Sequence, residues 1–291
     1  MSPTVEIRLV LARELRRSLR SAKGIALGAL TLLGAFVTSL ICAWVEGSNR
    51  SQLGAESSQA FVELKREAIE KATGDPSFAA YAASIPSSLL AFLKVTIWIT
   101  PLLVALVGFD SISGELQQRT VRFWALRTRR WSYFTGKLLG LWTLVAIVTL
   151  TVNLLAAAVA LEKGYVSVRE LFVWGARFWF VAFVISGAWA AIATFISACF
   201  VTPIVALLTT FAVFFALWLA GLGGFVGRLK DASATGIVKD MSWYEYLYPN
   251  AYDTLLLSSE LTRVLMALGI LMASIALIAA LGSALFERRD L

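Results

Sequence analysis

Long apolar stretches alternate with short polar ones along this chain, at lengths that predict helices able to cross a lipid bilayer. About 20 apolar residues are needed to span roughly 30 Å of hydrocarbon as a helix. The runs 24–45, 86–109, 138–161 and 264–286 each reach that length. The second is interrupted by Lys94 and bent by Pro101. Residues 178–227 carry no charge and are long enough for two spans, 178–201 and 203–226, divided at Pro203. The expected fold is therefore an all-α polytopic membrane protein with six transmembrane helices, forming a single domain over 1–291.

The polar intervals have patterns of their own. Over residues 4–20, Ile7, Leu11, Leu15 and Leu19 share one side of a helical wheel with the small Ser18. Arg13, Arg16, Arg17, Arg20 and Glu6 take the other side, Arg8 and Val10 break the pattern, and Glu14 sits near the boundary. This predicts an amphipathic helix within 1–23 that lies in the inner membrane interface, its arginines in the headgroup layer. In the loop 46–85, Ala60 to Lys71 reads as a short helix ended by Gly74-Asp75-Pro76. In the loop 227–263, the aromatic-rich SWYEYLYPNAYDTLLL (242–257) is broken at Pro249 and reads as an interfacial or re-entrant element before the last span.

Charge orients the array. The N-terminal segment carries Arg8, Arg13, Arg16, Arg17, Arg20 and Lys23 against Glu6 and Glu14. The 110–137 loop carries Arg119, Arg122, Arg127, Arg129, Arg130 and Lys137 against Asp110 and Glu115. The 46–85 and 227–263 loops are mixed to acidic. Cation-rich short loops stay on the cytoplasmic side, so both termini and the 110–137 loop are expected on the cytoplasmic side of the membrane. The composition agrees: 58% apolar and 15% charged, with a mean hydropathy of +0.75, against roughly 45–50% and 25% in soluble domains. The net charge of +7 is explained by lipid headgroups beside the spans, without nucleic acid as a partner.

Candidate chemistry is sparse. The chain has no histidine, which removes His-based triads, His metal sites and the commonest general base. Gly136-Lys137 resembles the end of a phosphate loop, but Trp131 and Leu138 stand where that motif forbids them. The scattered acids lack metal-ligand spacing, so the chain is expected to be non-enzymatic and to bind no cofactor or metal directly. Lys94 is expected to snorkel to the outer interface, with an ion relay as the alternative. Asn153 is expected to bond between helices. Gly24 and Gly28 have a small-xxx-small spacing that allows close packing within the chain or across a dimer, as do Gly223 and Gly227.

The 110–137 loop holds more order than an anchor needs. Ser113-Gly114-Glu115 opens a new segment, and Val121, Phe123, Trp124 and Leu126 interleave unevenly with Arg122 and Arg127. That mixture suits a short helix showing apolar and cationic groups to a soluble partner. Asp110, Gly114, Glu115, Thr120, Arg122, Arg127, Arg130, Gly136 and Lys137, in that order, resemble the pattern of type-2 ABC transporter permeases, as do the two ends, ARELRRSLRSAKG and LFERRDL. Two positions depart from the pattern: Arg119 where Gly usually precedes the Thr, and Thr128 where Pro often follows.

The resemblance implies a permease without catalysis of its own, binding neither ATP nor magnesium directly but using both through a separate ATP-binding cassette subunit. It implies an exporter working as a homodimer, or as a heterodimer with a similar permease. The N-terminal helix and the 113–130 region would form the coupling surface, with Glu115 and Arg122 fixed by pairing inside that surface or with the partner. Two other readings stand beside it: an ion-coupled secondary transporter, and a mechanotransmission subunit acting on an extracytoplasmic partner. The cargo is not legible.

Overall fold

The computed structural model describes residues 2–52, 57–73, 76–85, 87–125, 127–164, 167–235, 244–258 and 260–289. Twelve α-helices are found there, with no strand among the described residues: α1 (Pro3–Arg20), α2 (Ala22–Gln52), α3 (Ser57–Thr73), α4 (Pro76–Ser84), α5 (Ser87–Gly108), α6 (Ser113–Gln117), α7 (Val121–Ala125), α8 (Arg130–Glu162), α9 (Val168–Cys199), α10 (Pro203–Thr235), α11 (Asp253–Leu256) and α12 (Leu261–Glu287). Six of them, α2, α5, α8, α9, α10 and α12, are long and apolar enough to cross a membrane. Helices satisfy every backbone group internally, which is what hydrocarbon demands. The fold is an all-α polytopic membrane protein.

The helices outrun the apolar stretches that announce them. α8 begins at Arg130, so Gly136 and Lys137 lie inside a helix and form no phosphate loop. α9 stands at the centre and packs on α5, α8, α10 and α12. Small residues make that possible: Ala188, Ala190, Ala191 and Ala193 are fully buried, and a Cβ at Gly187 would lie 2.6 Å from the Trp142 ring. α2 is peripheral and touches chiefly α5 and α8.

The corner between α1 and α2 is built by Ser21. Its backbone N–H closes α1 onto the Arg17 carbonyl. Its Oγ donates to the Ser18 carbonyl at 3.0 Å and accepts the Gly24 N–H at 2.9 Å, a serine cap for the second helix. A Cβ at Gly24 would sit 1.7 Å from the Ser18 oxygen, so the corner requires glycine there. Gly24 is thus spent inside the chain, while Gly28 faces open space, as do Gly223 and Gly227.

Two polar residues of the spans make specific contacts. Asn153 Nδ2 donates to the Thr149 carbonyl of its own helix at 2.7 Å, because that acceptor is one turn away and needs no neighbour. Lys94 does not snorkel freely: its ammonium meets the Asp253 carboxylate at 2.5 Å. Asp253 lies in the aromatic segment, whose described part (244–258) folds as 3-10 turns at Glu245–Leu247 and Pro249–Tyr252 followed by α11. Glu245, Asn250, Tyr252 and Asp253 are buried there. Asn250 reaches the carbonyl of Ile97, near the middle of the 22-residue α5, so the segment re-enters the bundle. Non-helical backbone at that depth is tolerated because protein surrounds it.

Candidate functional site

The site lies at the end of the bundle where both termini meet. Arg130 Nη1 donates to the carbonyls of Glu287 and Arg289, each at 2.7 Å, which ties the start of α8 to the end of α12. Arg289 in turn donates to the Ala198 carbonyl at the end of α9. The turn between α5 and α6 is pinned by Ser197 of α9. Its Oγ accepts the Ile112 and Ser113 N–H groups at 3.0 and 3.1 Å and donates to the Phe109 carbonyl at 2.8 Å.

α6 carries Glu115, only 1% exposed. Its Oε1 accepts from Arg17 Nη1 at 2.8 Å and Lys137 Nζ at 2.7 Å, and its Oε2 accepts from the Tyr133 hydroxyl at 2.7 Å. Arg13 stands 3.9 Å away. Lys137, also 1% exposed, donates as well to Glu14 Oε2 at 2.5 Å. Two acids, Glu14 and Glu115, thus face Arg17 and Lys137, with Arg13 as a third, more distant base. A buried ion survives only with such partners. The cluster joins α1, α6 and α8, three elements far apart in sequence.

α1 is held by shape as well as charge. A Cβ at Gly136 would come within 2.7 Å of Val10 Cβ, and one at Gly140 within 2.9 Å of Glu14 Cβ. The two glycines of α8 form a small-xxx-small groove that seats α1. These contacts decide which residues of α1 face the protein. Val10, an exception to the apolar stripe, is buried, and so is Glu6, whereas Val5, Leu9 and Leu19 are exposed. The cause is that α8 offers Lys137 and the Arg129 backbone N–H, which attract the acidic side of α1. Glu6 Oε2 accepts that N–H at 3.1 Å, a bond that holds its carboxyl below the usual range against the opposing effect of burial.

The other expected residues separate into braces and surface. Asp110 accepts from Lys23 Nζ at 2.8 Å, and the same ammonium lies 4.0 Å from the Phe109 ring centre. Gly114 is buried, its Cβ position 3.5 Å from Asp110 Cβ. The Thr120 N–H and Oγ1 both donate to the Glu115 carbonyl, at 3.0 and 3.3 Å. Arg13 covers the Trp124 ring at 4.4 Å. By contrast Arg16, Arg20, Gln118, Arg119, Arg122, Phe123 and Arg127 are exposed. Phe123 is 72% exposed amid these cations. Leu126 lies outside the described residues.

A model of the ABC-2 family transporter protein matches residues 8–291. The chain belongs to the ABC-2 transporter family. No curated protein matches it. Within an ABC-2 member the two departures noted above acquire a physical reading. Arg119 has φ of 56°, a left-handed conformation that glycine adopts without steric cost. Thr128 donates its N–H to the Trp124 carbonyl at 2.8 Å and its Oγ1 to the same oxygen at 2.9 Å, a backbone bond proline cannot make.

Tyr133, Glu14, Ser197 and Gly140 are the functional residues that sequence reasoning missed. Gly136-Lys-Leu-Leu-Gly140 carried a readable spacing signal; the others had none.

Proposed function

We propose that this chain is the permease subunit of an ABC exporter, and that a separate ATPase subunit docks beneath α6 and α7 on the face of Arg119, Arg122, Phe123 and Arg127. In this reading the end holding both termini is cytoplasmic in a bacterial inner membrane, and ATP and magnesium bind only to the partner. A second permease copy, identical or similar, completes the assembly.

One observation supports it above the others: within a single short segment, Glu115 is buried and satisfied while Arg122 and Phe123, a few residues on, point outward with cations around an apolar ring. The buried half welds the segment to α1 and α8. The exposed half offers an aromatic and arginine anchor of the kind that dominates protein interfaces. A push on that surface is then passed to α8 and α5 as to a rigid lever. An ion-coupled transporter would need charges along its spans, and Lys94 is already neutralised by Asp253.

The test is co-purification of the chain with candidate ATPases from its genome, comparing Arg122→Glu and Phe123→Ala with the parent. Both variants are expected to insert and melt normally yet lose the ATPase at least tenfold. Full retention of the ATPase by both would remove this face from the interface.

A further inference from the structure

Pro101 lies inside α5. It has no backbone N–H, so the carbonyl four residues earlier, that of Ile97, loses its helical donor. In the middle of a span no water replaces it, and a bare carbonyl there is costly. The structure fills the gap from another element: Asn250 Nδ2 donates to the Ile97 oxygen at 3.1 Å.

The orientation of that amide follows from its other partners. Trp189 Nε1 lies 2.8 Å from Asn250 Oδ1, and an indole can only donate. The oxygen must therefore face Trp189, which leaves both amide hydrogens for the Ile97 carbonyl and, at 3.2 Å, the Tyr248 hydroxyl. Asn250 is 5% exposed, so water does not compete. Three residues along each element a second tie repeats the register: Lys94 of α5 meets Asp253 at 2.5 Å. The half of α5 before Pro101 is thus clamped at two points to the re-entrant segment. The half after Pro101 is clamped at its far end to α9 through Ser197.

We propose that Asn250 is a positioning residue that stands in for the hydrogen bond Pro101 removes, making the re-entrant segment and the first half of α5 one body that pivots at Pro101. The hydrogen-bond substitution holds whatever the chain transports. Its use as the pivot of a transport stroke rests on the permease reading, and the measurements below do not.

The purified chain in lipid nanodiscs is melted as parent, Asn250→Ala, Pro101→Ala and the double variant. Asn250→Ala is expected to lower the melting temperature by several degrees. In the Pro101→Ala background the loss shrinks by at least half, because the new backbone N–H serves the Ile97 carbonyl. A residue that merely packs against Trp189 would cost the same in both backgrounds, and that result overturns the proposal. If Asn250→Ala alone fails to accumulate, recovery of folded protein in the double variant reads the same coupling, and its failure to recover counts against it. Hydrogen exchange gives the second readout. Asn250→Ala is expected to raise exchange in α5 around Ile97–Leu103 and in 244–258 together. Exchange that rises in 244–258 while α5 stays protected would show two bodies instead of one.

Discussion

Replacing Glu115 by glutamine tests whether the cluster at the terminal end is a working unit. The change keeps shape, removes a charge and puts an amide nitrogen in place of one accepting oxygen, facing either the Tyr133 hydroxyl or the Arg17 and Lys137 cations. Lys137 stays buried with Glu14 alone, at 2.5 Å. Breaking one partner out of a buried pair costs about 3–5 kcal/mol. The surviving Glu14 contact places Glu115→Gln near the lower end, about 3 kcal/mol. Lys137→Met is expected to cost a similar amount, since it takes the buried ammonium from both Glu115 and Glu14. Arg17 is different: its side chain is 38% exposed, and ion pairs open to solvent are worth up to about 1 kcal/mol, so Arg17→Ala falls below that. The double variant Glu115→Gln/Lys137→Met leaves the charges of Glu14, Arg13 and Arg17, all more exposed than the two removed. It is expected to cost little more than either single change. Equilibrium unfolding of the four proteins in mixed micelles measures this directly. Additivity of the two single changes to within about 0.5 kcal/mol would refute a coupled cluster.

Three other outcomes follow from the same geometry. Gly136→Ala places a methyl 2.7 Å from Val10 Cβ, so α1 is expected to leave its groove and its exposed arginines to become cleavable by trypsin, while Gly28→Ala, in open space, leaves the digest unchanged. Arg119→Gly relieves a left-handed residue at φ 56°; it is expected to raise stability by up to about 1 kcal/mol, offset in part by glycine's extra unfolded-state entropy. The depressed Glu6 carboxyl contributes to α1 docking above the ordinary carboxylate pKa, and that contribution is lost as pH falls through the lowered folded value. Trypsin release of α1 should therefore rise on acidification in the parent, with a smaller rise in Glu6→Gln, which already lacks the charge.

The motif around 110–137 was readable as important, but not as to which residues face inward. Glu115 and Arg122 look alike in sequence, two charges in a basic loop, yet one is buried and the other exposed. Glu115 is decided by Arg17 and Lys137, 98 and 22 positions away, and no local periodicity reports such distances. The wheel of α1 announced an interfacial helix with its arginines outward, but not which residues would face α8. α1 turns Glu6 and Glu14 toward the Arg129 N–H and Lys137 at the start of α8 and leaves Leu9 and Leu19 exposed. Lys94 was visible as an oddity in a span, while its partner Asp253 was hidden in a segment read as interfacial or re-entrant from its aromatics alone. Pro101 announced a bend, but not that Asn250 would answer the carbonyl it leaves without a donor.

Apolar length and cation placement, read one residue after another, were enough to specify six spanning helices, because hydrocarbon forces each segment to satisfy its own backbone and this requirement is local. Tertiary structure alone decided which charges are buried, which glycines are seats or corners, and which amide completes the bend in α5. Those outcomes depend on distances and desolvation between groups that only folding brings together.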